Sequence, residues 1–282
     1  MIYLLLILAL LIPISAEAQL WPNAPTNGVI VSDHNFTTCQ ANGWTGNCGF
    51  IRSDVTAPHS PPSIMRWEYD TSTGFGGGEI NLPLNVNEVW IGYWFKLSSV
   101  FQGTANNSNK FTFGFDGFSG NGYWTKAVGP QGSGAGVNGG PFFMQFHLQG
   151  TDASIDNCHV PGGFGECFNR AWNGGTQITL GVWHRVELYY KHSTSTPCSG
   201  SNCNGVSKLW YDGQLELDLS QLDTPSGLIQ DLFFTPTWTS PPDRQTADQI
   251  SFDHVRVVQC SGCTFGGADV TPPSPVTGIT VE

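Results

Sequence analysis

Apolar and polar residues alternate through Phe142-Phe143-Met144-Gln145-Phe146-His147-Leu148-Gln149, which Pro141 and Gly150 bound. Successive side chains of a strand point to opposite faces. The pattern therefore predicts a strand with Phe142, Met144, Phe146 and Leu148 inward and Gln145, His147 and Gln149 outward. The same period recurs along the chain. Ser63–Tyr69 places Met65, Trp67 and Tyr69 inward, with Arg66 and Glu68 outward. Val89–Leu97 places Val89, Ile91, Tyr93 and Phe95 on one face, with Trp90, Trp94 and Lys96 on the other. Asn109–Asp116 alternates with Phe111, Phe113 and Phe115 read as inward and Lys110, Thr112 and Asp116 as outward. Trp183–Lys191 sets Val186, Leu188 and Tyr190 against Arg185, Glu187, Tyr189 and Lys191. Asp212-Gly213 is a hairpin signal, and Ile250–Val258 reads as the last strong strand. Gly117–Gly140 is Gly-rich without regular pattern, and Cys158–Gly175 forms a second long excursion. No long segment carries apolar residues at helical spacing. Repeated two-faced strands separated by turns predict an all-β sandwich or barrel.

Composition narrows the setting. The chain has 35 Gly and 18 Pro with only 12% charged residues, as expected for many short strands and turns. It opens on an apolar run, Tyr3 to Ile14, followed by the small-x-small pattern Ala16-x-Ala18, which reads as a secretory leader cut after residue 18. That run is too short to span a bilayer comfortably, so a secreted, extracellular protein with no membrane span in the mature chain is expected. Residues 19–265 form the β domain. Residues 266–282 carry a Pro cluster and then Thr277–Val281, reading as a linker or the opening of a further β-domain. The net charge of −11 argues against nucleic acid as a partner. Eight cysteines fall into close pairs, Cys39/Cys48, Cys158/Cys167, Cys198/Cys203 and Cys260/Cys263, which in an exported chain read as disulfides. The CxxC of the last pair would need a second pair to hold zinc. No cofactor is required; a structural calcium near Asp116 and Asp253 is conceivable, although no spaced acidic loop is present.

Three stretches carry a resemblance. Gly181-Val-Trp183-His-Arg-Val-Glu187, then Asn204-Gly-Val-Ser-Lys-Leu-Trp210-Tyr-Asp-Gly213, then Asp248-Gln-Ile-Ser-Phe-Asp253-His-Val-Arg-Val257 resemble the late strands of concanavalin A-like jelly rolls. The resemblance runs roughly from Ser63 to Val258 and implies a jelly-roll β-sandwich of two antiparallel sheets. Within that group, Gln145-Phe-His147 resembles the Gln-x-His strand of jelly-roll polysaccharide lyases of the heparinase-like and alginate-lyase kinds. Arg66-Trp-Glu68-Tyr-Asp70 is similar to the alginate lyases' Arg-x-Glu-x-Arg strand, with Asp70 where the second Arg belongs. Tyr189-Tyr-Lys191 is similar to their Tyr-x-Lys strand but lacks its continuation.

What this resemblance implies is β-elimination on a uronate-containing glycan. His147 would be the base, Gln145 and Arg66 would neutralise the carboxylate, and Tyr189 would be the acid. Lys110, Gln149, Arg185 and Lys191 would bind substrate, and Trp90, Trp94, Trp210 and Trp238 would offer stacking platforms for sugars. The alternatives are a non-catalytic carbohydrate-binding or adhesion module and, last, a retaining glycoside hydrolase. The hydrolase needs two carboxylates roughly 5 Å apart, and Glu216-Leu-Asp218 lacks the second glutamate of that family's strand.

Overall fold

Alternation of the kind described above leaves each strand one apolar face to bury, and two sheets placed face to face bury both sets at once. A computed structural model describes residues 20–69, 78–103, 109–115, 122–128, 142–149, 167–168, 177–194, 203–222, 227–237 and 248–265. Strands are numbered in chain order. The first sheet runs β14 (Gln214–Leu222), β13 (Gly205–Tyr211), β12 (His184–Lys191), β6 (Glu88–Leu97), β16 (Gln249–Gln259), β4 (Ser63–Glu68), β3 (Phe50–Ser53), with β1 (Val29–His34) also on β16. The second runs β10 (Cys167–Phe168), β9 (Phe142–Gln149), β8 (Gly122–Val128), β7 (Asn109–Phe115), β15 (Ile229–Thr237), β5 (Glu79–Val86), β2 (Thr45–Asn47), with β11 (Gln177–Ile178) also on β9. Every pairing is antiparallel, as expected from the sequence; β6 and β16, for instance, pair from Ile250↔Leu97 to Gln259↔Val89.

The core lies between the sheets. Val89, Ile91, Tyr93, Phe95 and Leu97 of β6 meet Phe142 and Met144 of β9, Ile80 and Leu82 of β5, and Leu232 and Phe234 of β15 within one buried cluster. Asp212 and Gly213 both take positive φ, 50° and 86°, the backbone that a two-residue hairpin turn requires.

Two expectations are corrected. Gly117–Gly140 is not wholly irregular, because β8 lies within it. In β7 the inward position is not a phenylalanine but Thr112, which is fully buried along with Thr125 of β8. A bulge between Lys110 and Thr112 and a hydrogen bond to the far sheet, described below, account for the reversal. Cys39–Cys48 and Cys260–Cys263 are disulfides, and Cys203 is disulfide-bonded as well. Cys158 and Cys198 lie outside the described residues, as do 1–19 and 266–282.

Candidate functional site

A two-sheet sandwich has two outer faces, and here they are unequal. The outer face of the first sheet is filled. Trp21, Trp90, Tyr189, Trp210 and Val258 form a second buried cluster, with Leu20, Ala24, Trp94, Cys263 and Phe265 packed on it. The Trp21 and Trp90 rings meet edge to face at 5.7 Å. Polar groups of this face are taken up by Asn23 on one side and by Gly262 and Cys263 on the other. The Glu187 carboxylate, fully buried, accepts from Asn23 N at 3.0 Å and Nδ2 at 3.1 Å and lies 3.0 Å from Arg185 Nε. Burial outweighs these partners and lifts its pKa to about 7. Tyr189 donates its hydroxyl to Glu88 at 2.7 Å, and Glu88 also accepts from Gly262 N and Cys263 N. Burial and the Glu88 carboxylate raise the Tyr189 pKa well above the ordinary tyrosine value.

The outer face of the second sheet differs. Among the described residues no strand packs on it, and along β5 and β15 its positions Asn81, Asp231 and Phe233 are half-buried and Pro83 is exposed. Their neighbours of opposite parity, Ile80, Leu82, Leu232 and Phe234, are buried. The register then places residues in rows across β7, β8 and β9. Lys110 pairs with Lys126, and Lys126 with Gln145. In the next row Phe113 pairs with Trp124, Trp124 with His147, and His147 with Phe168. In the third, Phe115 pairs with Gly122 and Gly122 with Gln149. Thr112 and Thr125, opposite one another between the first two of these rows, are buried, and the rows take the opposite parity along their strands. The register thus brings Lys110, Lys126, Gln145, Trp124 and His147 to adjacent positions of β7, β8 and β9.

No protein-family model matches the chain, and no curated protein matches it. Solved structures do. An alginate lyase from a Chlorella virus superposes with a TM-score of 0.54 at 16% identity, covering 82% of this chain and 100% of that one. A mutant of the alginate lyase Aly36B in complex with an alginate trisaccharide gives 0.52 at 17% identity, over 84% of this chain and 100% of that one. The endo-β-1,4-glucuronan lyase of the fungus Trichoderma reesei gives 0.49 at 15% identity, over 84% and 98%. The chain shares the fold of the two alginate lyases, a β-sandwich of two antiparallel sheets. On this jelly roll the residues singled out in the sequence separate into two groups. Lys110, Gln145, His147 and Gln149 share the second sheet. Arg66, Trp90, Trp94, Arg185, Tyr189, Lys191 and Trp210 belong to the first sheet and to the opposite outer face. Trp238 lies outside the described residues.

That separation corrects the constellation. Arg66, His147 and Tyr189 do not open onto one groove, because their strands belong to opposite layers of the sandwich. Tyr189, Trp90, Trp210 and Arg185 are buried beneath residues 20–24 and 262–265, where they hold the fold. Trp94 lies half-buried under the Arg185 guanidinium, 5.6 Å from its ring, and Arg66 donates to Ser251 Oγ at 3.1 Å. In exchange the structure supplies Lys126 and Trp124, which sequence reading missed inside the Gly-rich stretch. The signal was the short alternation Tyr123-Trp124-Thr125-Lys126, easy to pass over between glycines.

Metal ligation does not suit the carboxylates and sulfurs that come together. Glu88 lies near Cys260 and Cys263, but both sulfurs are in a disulfide and the carboxylate is taken up by Tyr189 and two backbone amides. Asp253, considered for calcium, is fully buried and accepts from the backbone of His59 and Ser60, so it acts as a loop staple. Asp116 lies outside the described residues.

Proposed function

We propose that the protein is a secreted polysaccharide lyase that cleaves a uronate-containing glycan by β-elimination on the open face of the second sheet. The observation that carries this reading is the row Lys110–Lys126–Gln145 beside His147. Like charges directly opposite one another across a strand pair are destabilising. This chain has 11 Lys and Arg against 22 Asp and Glu, yet its register sets two lysines opposite one another. An anionic ligand offsets that repulsion; a neutral sugar does not. The solved alginate lyases that share the fold, one of them holding an alginate trisaccharide, support a uronate as the ligand, and the leader-like start of the chain supports export.

The chemistry follows from the row. The hydrogen alpha to a uronate carboxylate is weakly acidic, so its removal needs the carboxylate charge neutralised as the enolate forms. The two lysines and Gln145 supply this. His147 takes the proton, since an imidazole titrates near neutrality. The bond to the glycosidic oxygen beta to the carboxylate then breaks, leaving a carbon–carbon double bond conjugated with the carboxylate. Tyr189 being buried on the far face, the imidazolium just formed is the acid that returns a proton to the leaving oxygen.

Incubation with alginate, glucuronan, pectate and heparinoids tests the reading through the ultraviolet absorbance of the unsaturated product. His147→Ala should abolish that absorbance while glycan binding persists. Binding by the wild type without new absorbance would overturn the lyase in favour of a carbohydrate-binding module. New reducing ends without absorbance would point to hydrolysis instead.

A further inference from the structure

The strand that carries Lys110 runs against its own hydrophobic pattern. In Asn109-Lys-Phe-Thr-Phe-Gly-Phe115 the apolar set is Phe111, Phe113 and Phe115, and patterning alone would turn it to the core. Instead Thr112 and Gly114 occupy the inner face. The bulge makes a second difference. In a regular ladder with Thr112 opposite Thr125, residue 111 would stand opposite Lys126 and Lys110 would share the inward parity of Thr112. The extra residue between Lys110 and Thr112 moves Lys110 opposite Lys126 instead, and β15 shows a matching irregularity on the other side of β7, between Phe234↔Thr112 and Thr237↔Lys110. A bulge of this kind re-aims the side chains that follow it.

Something must hold Thr112 inward against three phenylalanines. Directly beneath it, Tyr93 of the opposite sheet reaches across the core. Its hydroxyl lies 2.9 Å from Thr125 Oγ1, which lies 2.6 Å from Thr112 Oγ1. All three side chains are fully buried. Buried hydroxyls are costly unless they are paired, so this chain of three is satisfied in one arrangement of β7 and breaks in the slipped one. Burial also raises the Tyr93 pKa well above the ordinary value, which keeps its proton available for donation.

We propose that Tyr93, Thr125 and Thr112 are positioning residues for the glycan site: their buried hydroxyl chain fixes the β7 bulge and thereby sets the register that puts Lys110 opposite Lys126. This rests on the reading of that face as the site of an anionic glycan. It adds that affinity for the carboxylates is set from the far sheet, through a tyrosine that never meets substrate.

The test uses Tyr93→Phe and Thr125→Val, which remove one hydroxyl each with little change of shape, and Thr125→Ser, which keeps the hydroxyl. Amide hydrogen exchange is measured over residues 109–113 and 124–128, with β12 and β16 as internal references. Affinity for a polyuronate oligosaccharide is measured against salt. The first two variants should lose protection in β7 and β8 alone and bind about tenfold more weakly, the loss expected when one charge-assisted contact goes. The slope of log affinity against log salt should fall by about one lysine's worth, and Tyr93→Phe combined with Lys110→Ala should bind no worse than Lys110→Ala alone. Thr125→Ser should restore all of these. Variants that lose global stability but keep local protection, affinity and salt slope would overturn the proposal and leave the hydroxyls as core packing. If the wild type bound no polyuronate, the reading of the face would fall, while the exchange data would still decide whether the hydroxyl chain sets the register.

Discussion

At the scale of single residues, two titrating groups on the covered face pull stability in opposite directions. The rings of His59 and His254 lie 3.5 Å apart, and His254 and Arg256 both pair with Asp33. Burial, then the neighbouring His254, hold the His59 pKa down to about 4 from 6.5. The unfolded chain therefore binds the proton more readily, and stability is lost as pH falls from about 6.5 towards 4. His59→Asn should flatten that limb in a plot of melting temperature against pH. Glu187 works the other way. Its folded pKa of about 7 exceeds the 4.5 of an ordinary glutamate, so its contribution is fully present below about 4.5 and is lost as pH rises towards 7. In Glu187→Gln the decline over that interval should shrink, while the His59 limb remains. If neither substitution changed the pH profile, these groups would not govern it.

At the scale of strands, the paired lysines carry a trade between stability and function. Lys126→Gln removes a like-charge neighbour, and denaturant unfolding should show it more stable than the wild type by about 0.2–1 kcal/mol. The same substitution should weaken polyuronate binding and reduce its salt dependence. A variant both less stable and equally competent in binding would show that the two lysines do not face one another on the site. The strands themselves were legible where both parities carried clear chemistry. Met65 and Trp67 against Arg66, or Val186 and Leu188 against Glu187, point to the faces the structure shows. Alternation failed in β7, where apolar side chains and buried hydroxyls compete for the core and the deciding partner, Tyr93, lies in another sheet. It was overlooked in β8, a short strand set among glycines. Period two separates the faces of one strand; it does not say which sheet the strand joins or what covers its outer side. For that reason Trp90 and Tyr189, rightly read as outward, are buried, as is Trp210, taken for a sugar platform, and Arg66 was grouped with a histidine on the other layer.

At the scale of the molecule, the covered face depends on two segments, residues 20–27 and 260–265. Trp21, only 2% exposed, is the largest apolar group the N-terminal segment contributes. Trp21→Ala should cost about 3–5 kcal/mol in denaturant unfolding while leaving the proposed glycan site of any folded molecule intact, since β7, β8 and β9 belong to the other sheet. Loss of glycan binding in the folded fraction would mean that the two layers are coupled more tightly than their separate side-chain sets suggest. The two segments also meet each other. Pro25 bridges to Phe265, and Thr26 N donates to Thr264 O at 2.9 Å. Both exits from the domain therefore lie together, behind the layer that bears the lysines and His147. A molecule held at that pair of segments, by a bead or by a fused partner, would present the second sheet outward. Because Thr26 and Thr264 lie side by side, the domain between them is suited to insertion as a cassette within another protein.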